Sequence, residues 1–291
     1  MTAAGGAPAG AGGSGAVDLH AHSTASDGSR TPTDLVAVAR AAGLAAVALT
    51  DHDTVAGIPE AQAAAAEAGL RVVPGVELSA VEGDLETHLL GLHLSRPERI
   101  KQGLAGIRGM RRTRAERIVA RLNELGVRIT FADVLEQAGD AAIGRPHVAR
   151  ALVEHGWATD LRDAFDRYLG NGRPAFVSKD RLTIEDAIAM IHEAGGLAFL
   201  AHPGHSGTRA RLEALAARGL DGVEVLHPSH SAEDVARLKT LAEYLHLLPT
   251  GGSDWHGADE GTRTLGAMRV PAEWLELHEA RLAERRATVE P

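Results

Sequence analysis

Histidine and carboxylate side chains recur at the ends of short apolar segments in this 291-residue chain. The first cluster is Asp18-Leu19-His20-Ala21-His22. In an extended strand, residues i and i+2 face the same way, so His20 and His22 can reach a single ion. Later apolar segments end at or carry further clusters: Thr50-Asp51-His52-Asp53, Gly75-Val76-Glu77, His88, Ala201-His202-Pro203, Leu226-His227-Pro228 and Ser253-Asp254-Trp255-His256. Imidazole and carboxylate groups bind divalent transition metals, so the pattern predicts a metal centre.

Seven short apolar runs supply the strands that would position these residues. They lie at residues 17–20, 45–49, 71–76, 87–94, 197–201, 222–226 and 248–251. Segments with helical spacing lie between them, such as residues 32–42, where Thr31 is the expected N-cap and Pro32 the first helical residue. This alternation predicts βα units around a parallel sheet, and seven strands suit a barrel. Barrel enzymes gather catalytic groups at the C-terminal ends of their strands, where these clusters fall.

A stretch from about residue 97 to residue 179 interrupts this rhythm with helical segments and no clear strand. Residues 96–128 carry ten Arg or Lys against three Glu, a net charge of +7. Such a stretch fits either a solvated helix face or a surface that steers a polyanionic substrate. The expected organisation is a disordered tail (1–16), a barrel (17–96 and 180–270), a helical insertion (97–179) and a C-terminal helix or tail (271–291).

The amino-acid composition excludes several kinds of site and of binding partner. The chain has no cysteine, which excludes disulfides, thiolate metal sites and cysteine nucleophiles, whereas it has 15 histidines. A net charge of −9 argues against extended binding to a nucleic-acid backbone but allows a short nucleic-acid end. The longest apolar run, 41–49, is far shorter than the roughly 20 residues that span a bilayer. We therefore expect a cytoplasmic protein without a membrane partner, and no protein partner can be inferred.

Five motifs resemble, in order, those of the PHP (polymerase and histidinol phosphatase) superfamily: DLHAHSTASDG, LTDHD, PGVE, LAHPG and GGSDWH. The similarity extends from about Val17 to Met268. The segments GRPHVARALV, RPAFVSK and GVEVLHPSH are similar to the branch of stand-alone phosphoesterases that act on nucleotides and RNA 5′ ends. The resemblance implies an α/β fold, a distorted (β/α)7 TIM-like barrel with an inserted helical subdomain over its mouth. The count of seven strands agrees independently.

The resemblance also implies a set of metal ligands. It assigns His20, His22, Glu77 and Asp254 to one ion, Glu77 with His88 and His202 to a second, and Asp27, His52 and His256 to a third. Some family members have histidine where this chain has Asp27, and the aspartate form is similar to the nucleotide-directed branch. Mixed oxygen and imidazole ligands suit Mn²⁺, Fe²⁺ and Zn²⁺, so we expect two or three of these divalent ions.

Clustered divalent ions would activate a bound water, so a metal-bound hydroxide is the expected nucleophile. The expected catalytic residues are His227, Asp254 and His256, with His227 as the candidate proton donor to the leaving oxygen. The resemblance places phosphate-binding groups in the insertion, and guanidinium and ammonium groups bind phosphate oxygens. The expected substrate contacts are Arg145, His147 and Lys179, together with His227.

The leading hypothesis is a metal-dependent phosphoesterase that hydrolyses nucleoside 3′,5′-bisphosphates, short 5′-phosphorylated RNA in the 5′–3′ direction, or both. The alternative is a histidinol-phosphate or other small phosphomonoester phosphatase, which would not need a basic insertion. A non-catalytic PHP module is a third hypothesis, against which all nine ligand positions argue.

Other polar residues near the motifs receive more general expectations. Asp51 and Asp53 flank His52 and are expected to orient it. His205 and His230 could contact substrate or ligands, or have no special role. The remaining histidines are expected to be structural: His93, His155, His192, His246 and His278.

Overall fold

The structure is a computed structural model that describes residues 15–83, 85–138, 143–177 and 182–289, with the side chains of 107–111 and 288–289 not described. Lys179 and nearly all of the expected N-terminal tail lie outside these residues. The chain divides into two compact units, residues 1–100 with 183–291 and residues 101–182. The second unit covers almost the same residues as the expected insertion, whose independence as a domain stays a prediction.

Within the described residues, eight strands of the first unit form one sheet. They are β1 (Ala16–Asp18), β2 (Ala46–Leu49), β3 (Arg71–Glu82), β4 (Leu85–Leu92), β5 (Leu197–Leu200), β6 (Gly222–Leu226), β7 (Leu248–Gly251) and β8 (Val270–Pro271). Their order across the sheet is β7-β6-β5-β4-β3-β2-β1-β8. Leu19 N donates to Gly251 O (3.0 Å) and Ala21 pairs with Trp255, so the β1 and β7 sides meet and nearly close a barrel. The expected fold class is confirmed.

Helices connect the strands and build the second unit. They are α1 (Pro32–Ala41), α2 (Ile58–Ala68), α3 (Pro97–Glu124), α4 (Phe131–Ala138), α5 (Arg145–Glu154), α6 (Leu161–Ala164), α7 (Ile184–Glu193), α8 (Arg209–Ala216), α9 (Ala232–Tyr244) and α10 (Ala272–Val289). A π-helical turn spans Phe165–Leu169 and a 3₁₀ turn spans Gly204–Ser206. Helix α1 begins as expected, because Thr31 Oγ1 accepts from Asp34 N (3.1 Å) and Pro32 occupies the first turn.

One strand overturns the expectation of a parallel sheet. Strand β4 is antiparallel to both β3 and β5, and no helix separates it from β3. This reversal places the start of β4 beside the C-terminal ends of β3 and β5, at the mouth of the barrel. His88 lies near the start of β4 and therefore reaches the mouth. The expectation was wrong because an apolar pattern with a period of two carries no information about strand direction.

The edge of the sheet also differs from the prediction. Strand β8 was not predicted, because it has only two residues; it pairs antiparallel with β1. Inside the barrel, apolar strand residues fill the interior: Val17, Leu19, Ala46, Ala48, Leu90, Leu92, Leu197 and Phe199. Because the interior is packed, the strand ends at the mouth are the place for polar chemistry.

The second unit has its own apolar core. Val134, Val148, Leu152 and Leu169 are buried there. The basic face of α3 is not simply solvated, because Arg114 is buried and donates to Val177 O from two nitrogens (2.9 and 2.7 Å). In the part of the chain that the structure describes, no helix is long and apolar enough to cross a membrane. The expected cytoplasmic location stays a prediction.

Candidate metal centre

The Glu77 carboxylate lies in the middle of the barrel mouth and is only 1% exposed. Its Oε2 atom is 3.2 Å from Nε2 of His20 and 3.2 Å from Nε2 of His22. The same oxygen is 3.3 Å from Nδ1 of His52. Strand β3 carries Glu77 past the end of β2, where Glu77 pairs with His52 in a parallel bridge. Three segments far apart in sequence therefore meet at one carboxylate oxygen.

The other oxygen of Glu77 faces two more histidines. Its Oε1 atom is 2.8 Å from His88 Nδ1 and 2.9 Å from His202 Nε2. Five imidazole nitrogens thus surround one carboxylate, which offers about four acceptor sites for hydrogen bonds. Hydrogen bonding alone does not account for this crowding, whereas cations shared between the carboxylate and the imidazoles would do so.

Four donor atoms form the group best suited to one ion. They are His20 Nε2, His22 Nε2, Glu77 Oε2 and Asp254 Oδ1. Asp254 Oδ1 is 3.5 Å from His20 Nε2 and 3.3 Å from His22 Nε2, close to the 3.2 Å spacings around Glu77. Donors held 2.0–2.1 Å from a tetrahedral ion would be about 3.3–3.4 Å apart. The four histidine–carboxylate separations therefore match those expected around a tetrahedral divalent ion.

The His22 ring gives independent support for that fit. The residue is fully buried, yet among the described residues neither of its ring nitrogens has a hydrogen-bond partner. Buried polar atoms without partners are rare, because desolvation is costly. Nε2 of His22 faces the group just described, and Nδ1 lies 3.7 Å from Asp27 Oδ1.

A third, looser group lies on that Nδ1 side. Asp27, His52 and His256 join His22 there. His256 Nε2 is 3.3 Å from Asp27 Oδ1, and His52 Nε2 is 3.8 Å from Asp27 Oδ2. Asp27 is 55% exposed, so this group is the most accessible to water. The nine side chains named from the sequence thus converge on the mouth around Glu77.

Two of the histidines have a partner for their second nitrogen. His20 Nδ1 lies 2.9 Å from Glu224 Oε1, and His256 Nδ1 donates to the backbone oxygen of Asp254 (2.9 Å). Placing the proton on Nδ1 leaves the Nε2 lone pair for a metal ion, which is typical of metal-binding histidines. Glu224 Oε2 also accepts from the backbone N of His202 (2.7 Å).

Glu224 was not identified from the sequence, although it is fully buried. The available signal was a single acidic residue inside the short apolar segment GVEVL. A buried carboxylate requires a charged or hydrogen-bonding partner, so such a residue indicates one nearby. Asp18, which the sequence analysis named in the first cluster without assigning it a role, is also buried. It accepts from the backbone N of Ser253 (3.0 Å) and of Gly266 (2.7 Å).

Unusual backbone conformations hold several of these residues. Asp53, His202 and Asp254 have positive φ angles of 50°, 30° and 51°. Such conformations cost energy for residues other than glycine and cluster at functional sites. At Gly252 a Cβ atom would collide with the backbone N and the Cβ of His20, so only glycine permits this close approach.

Asp51 and Asp53 bind neighbouring segments rather than the His52 ring. Asp51 accepts from Ser23 N (2.7 Å), Ser23 Oγ (2.8 Å) and Ser26 Oγ (2.7 Å), which fixes the loop that carries Asp27. Asp53 accepts from Ser79 N (2.9 Å).

The charges of the cluster favour ionised carboxylates. Burial by itself would raise the pKa of Glu77, but the facing histidines, His20 above all, outweigh burial and hold the pKa well below its usual value. Burial likewise opposes ionisation of Asp254, but the facing His22 and His227 rings lower its pKa. For His20, burial would lower the pKa, and the charges of Glu224 and Glu77 raise it instead. The Glu77 and Asp254 carboxylates are therefore ionised, the form that binds cations.

Two further histidines near the mouth, His227 and His230, differ in the hydrogen bonds that their ring nitrogens make. The backbone N of Ser229 donates to His227 Nδ1 (3.1 Å), which places the ring proton on Nε2, 3.4 Å from Asp254 Oδ2. His230 has both nitrogens engaged: Nδ1 donates to Val225 O (2.9 Å) and Nε2 accepts from Gly204 N (3.0 Å). His230 is thus a structural residue.

The expected phosphate-binding residues lie in the second unit. Arg145 donates to Leu169 O (3.1 Å), and its guanidinium lies 5.7 and 5.5 Å from the ring centres of Phe165 and Phe176. His147 Nδ1 accepts from Gly144 N (3.0 Å) and so caps α5. Lys179 falls outside the described residues.

A distorted barrel with imidazoles and carboxylates converging at its mouth defines a class, the metal-dependent hydrolases. Comparison with known proteins identifies the family. The model of the PHP domain matches residues 18–233 of this chain. The chain therefore belongs to the PHP family, as its motifs indicated.

Individual relatives agree with this assignment. A 3′,5′-nucleoside bisphosphate phosphatase from Chromobacterium violaceum is 38% identical, over 86% of this chain and 90% of that protein. The 5′-3′ exoribonuclease Rnm of Salmonella typhimurium is 37% identical, over 89% and 87%. The crystal structure of a metal-dependent phosphoesterase from Bifidobacterium adolescentis superposes with a TM-score of 0.64 at 37% identity, over 91% of this chain and 96% of that chain. The chain is accordingly a metal-dependent phosphoesterase.

Proposed function

We propose that this phosphoesterase acts on nucleotides, hydrolysing nucleoside 3′,5′-bisphosphates, short RNA from its 5′-phosphorylated end, or both. The observation that carries the hydrolytic part is the Glu77 carboxylate with five imidazole nitrogens within 3.3 Å. The substrate class is supported by two relatives, a nucleoside bisphosphate phosphatase and an exoribonuclease, that match nearly the whole chain.

The cofactors we propose are two or three divalent ions, Mn²⁺, Fe²⁺ or Zn²⁺. The first would be held by His20, His22, Glu77 and Asp254, the second by Glu77, His88 and His202, and the third by Asp27, His52 and His256. Such ions bind phosphoryl oxygens and lower the pKa of water in the site. The longer spacings of 3.3–3.8 Å around the exposed Asp27 support weaker binding in the third group.

The chain's own side chains orient these ligands and move a proton. Glu224 holds the His20 ring by its Nδ1 proton, and the backbone oxygen of Asp254 holds the His256 ring in the same way. Asp254 uses Oδ1 toward His20 and His22, whereas its Oδ2 faces His227 Nε2. Nε2 of His227 therefore lies at the mouth, and we assign to this ring, in its doubly protonated form, the protonation of the leaving oxygen; the ring is then left as a neutral imidazole.

The second phosphate of a bisphosphate requires a cation. Arg145 is the strongest candidate, because Leu169 O and two phenylalanine rings hold its guanidinium in place before any substrate binds. A pre-organised guanidinium binds phosphate oxygens through two parallel hydrogen bonds. His147 and Lys179 are proposed beside it on the sequence resemblance.

The alternative, a histidinol-phosphate or other small phosphomonoester phosphatase, would use the same ions. The two hypotheses can be distinguished by measuring kcat/KM, with Mn²⁺ added, for adenosine 3′,5′-bisphosphate, a 5′-phosphorylated RNA pentamer and histidinol phosphate. We expect one or both nucleotide substrates to exceed histidinol phosphate by at least a hundredfold. The opposite ranking would establish the alternative, and no turnover of any substrate would indicate a non-catalytic module. Glu77→Gln serves as the control for contaminating phosphatases.

A further inference from the structure

A groove of about 480 Å³ opens directly beside the second group of candidate ligands. His88 and His202 line it, and the same two rings approach Glu77 Oε1 at 2.8 and 2.9 Å. The groove lies between the start of β4 and the loop after β5, within the first unit. Its volume falls in the range of small-molecule sites and is large enough for a nucleoside. Any group bound there is therefore adjacent to the reacting phosphate.

Away from the candidate ligands His88 and His202, the described lining of the groove offers no free positive charge to a phosphate. Arg211 is the only arginine among the described residues that line the groove. It donates to Glu82 Oε2 (2.7 Å), to Ser206 Oγ (2.7 Å) and to Thr87 Oγ1 (3.0 Å). The charge of Arg211 is thus compensated by Glu82, and the exposed Glu86 adds a negative charge to the lining. A phosphate would be repelled, so the groove suits the uncharged part of a substrate.

The rest of the lining is apolar or aromatic. Leu85 is 54% exposed, an unusual position for a large apolar side chain at the tip of a strand. The buried Leu200 and Pro203 also line the groove, and the exposed His205 ring forms part of the lining. Among the described residues, His205 has no hydrogen-bond or ring partner. Apolar surface next to an available aromatic ring is the chemistry on which a planar base stacks.

We propose that this groove binds the nucleobase of the substrate, and that it does so by apolar contact and stacking rather than by reading the base edge. The inference deepens the proposed function and rests on it for the identity of the substrate. Because Arg211, Ser206 and Thr87 already bond to one another or to Glu82, the groove floor has few groups left to distinguish one base from another. The base preference should accordingly be weak.

The test is calorimetric binding to Mn²⁺-supplemented protein of four nucleoside 5′-monophosphates and of ribose 5-phosphate, which has the phosphate and sugar but no base. Leu85→Asp and His205→Ala should each raise the Kd of AMP about tenfold, within the range observed when a stacking ring is lost. The Kd of ribose 5-phosphate should rise less than threefold. The four nucleotides should bind wild-type protein within about tenfold of one another.

Leu277→Asp is the matched control, since Leu277 is 48% exposed and lies in α10, outside the groove. It should change neither Kd. Equal weakening of AMP and ribose 5-phosphate would overturn the proposal, and so would unchanged AMP binding in both groove variants. A hundredfold preference for one base would overturn the stacking mode. Turnover of bisphosphates is measured separately: its absence, with base-dependent binding intact, would refute the proposed function and leave the groove assignment standing.

Discussion

Replacement of Glu224 by glutamine tests how the mouth holds its ligands. Glu224 is fully buried, and its two oxygens contact His20 Nδ1 (2.9 Å) and the backbone N of His202 (2.7 Å). Burial by itself would raise the pKa of Glu224, but the charge of His20 outweighs burial and lowers it, so the side chain is a carboxylate at neutral pH. Glutamine keeps the volume of the side chain and removes its charge.

The expected magnitude follows from the lost interaction. A hydrogen bond to a charged group contributes about 1.5–3 kcal/mol, which corresponds to roughly ten- to hundredfold in an equilibrium constant. Glu224→Gln should therefore weaken Mn²⁺ binding by about ten- to hundredfold, the range typical of groups that orient metal-binding histidines. Because Glu224 touches no candidate substrate position, kcat at saturating Mn²⁺ should recover much of the wild-type value.

The assay is calorimetric titration of chelator-treated protein with Mn²⁺, accompanied by thermal unfolding of each variant. Glu213→Gln is the matched control, because Glu213 pairs with Arg209 at 2.7 Å on the exposed surface of α8. That variant should bind Mn²⁺ as the wild type does. If Glu224→Gln kept wild-type Mn²⁺ affinity with an unchanged Tm, the reasoning about ligand orientation would be refuted.

Four other predictions address the site and the stability of the fold. Glu77→Gln should lower kcat at least a hundredfold in a folded protein, since it removes a charge shared by two ion groups; normal turnover would contradict this. Arg145→Ala should lower kcat/KM about ten- to hundredfold for a bisphosphate and less for a monoester, whereas equal losses would exclude a role in reading the second phosphate. In a length series of 5′-phosphorylated RNAs, kcat/KM should level off at about five nucleotides with a weak salt dependence, and continued improvement beyond about ten nucleotides would reveal an extended binding surface. Burial, with repulsion from neighbouring positive charge, lowers the pKa of His93 to about 3, and burial lowers that of His278 to about 4. Because the unfolded chain binds more protons at these two positions below pH 6.5, the pair should reduce stability by about 2 kcal/mol per pH unit between pH 6.5 and 5. His93→Asn should flatten that slope in urea unfolding, and an unchanged slope would contradict the assignment.

The candidate ligands could be named from the sequence because the motif resemblance assigns them and most of them follow or occupy a strand. His20, His52 and Glu77 follow or occupy short apolar runs, and parallel strands bring such positions to one end of a barrel. Glu224 escaped detection because it is a single acidic residue inside a strand, and the family-like segment GVEVLHPSH that contains it drew attention to His227 instead. Its role depends on the distance to His20, 204 positions away in the sequence, which no local pattern contains.

Strand direction was the other property that could not be predicted from the sequence. His88 was placed among the candidate ligands by its position in the fourth apolar segment and by the family resemblance, but the reason that it reaches the mouth is the reversal of β4. The two-residue strand β8 is too short for any periodic pattern. The buried Arg114 shows the same limit in the second unit, since a run of basic residues on a helix does not reveal which of them finds a backbone carbonyl.

The most direct test of the metal centre is an anomalous difference map from crystals of the protein grown with Mn²⁺. We predict one strong peak about 2.0–2.3 Å from His20 Nε2, His22 Nε2, Glu77 Oε2 and Asp254 Oδ1. A second peak should lie on the Oε1 side of Glu77, beside His88 and His202. A map without a peak within bonding distance of Glu77, from crystals soaked in excess Mn²⁺ near neutral pH, would contradict the account.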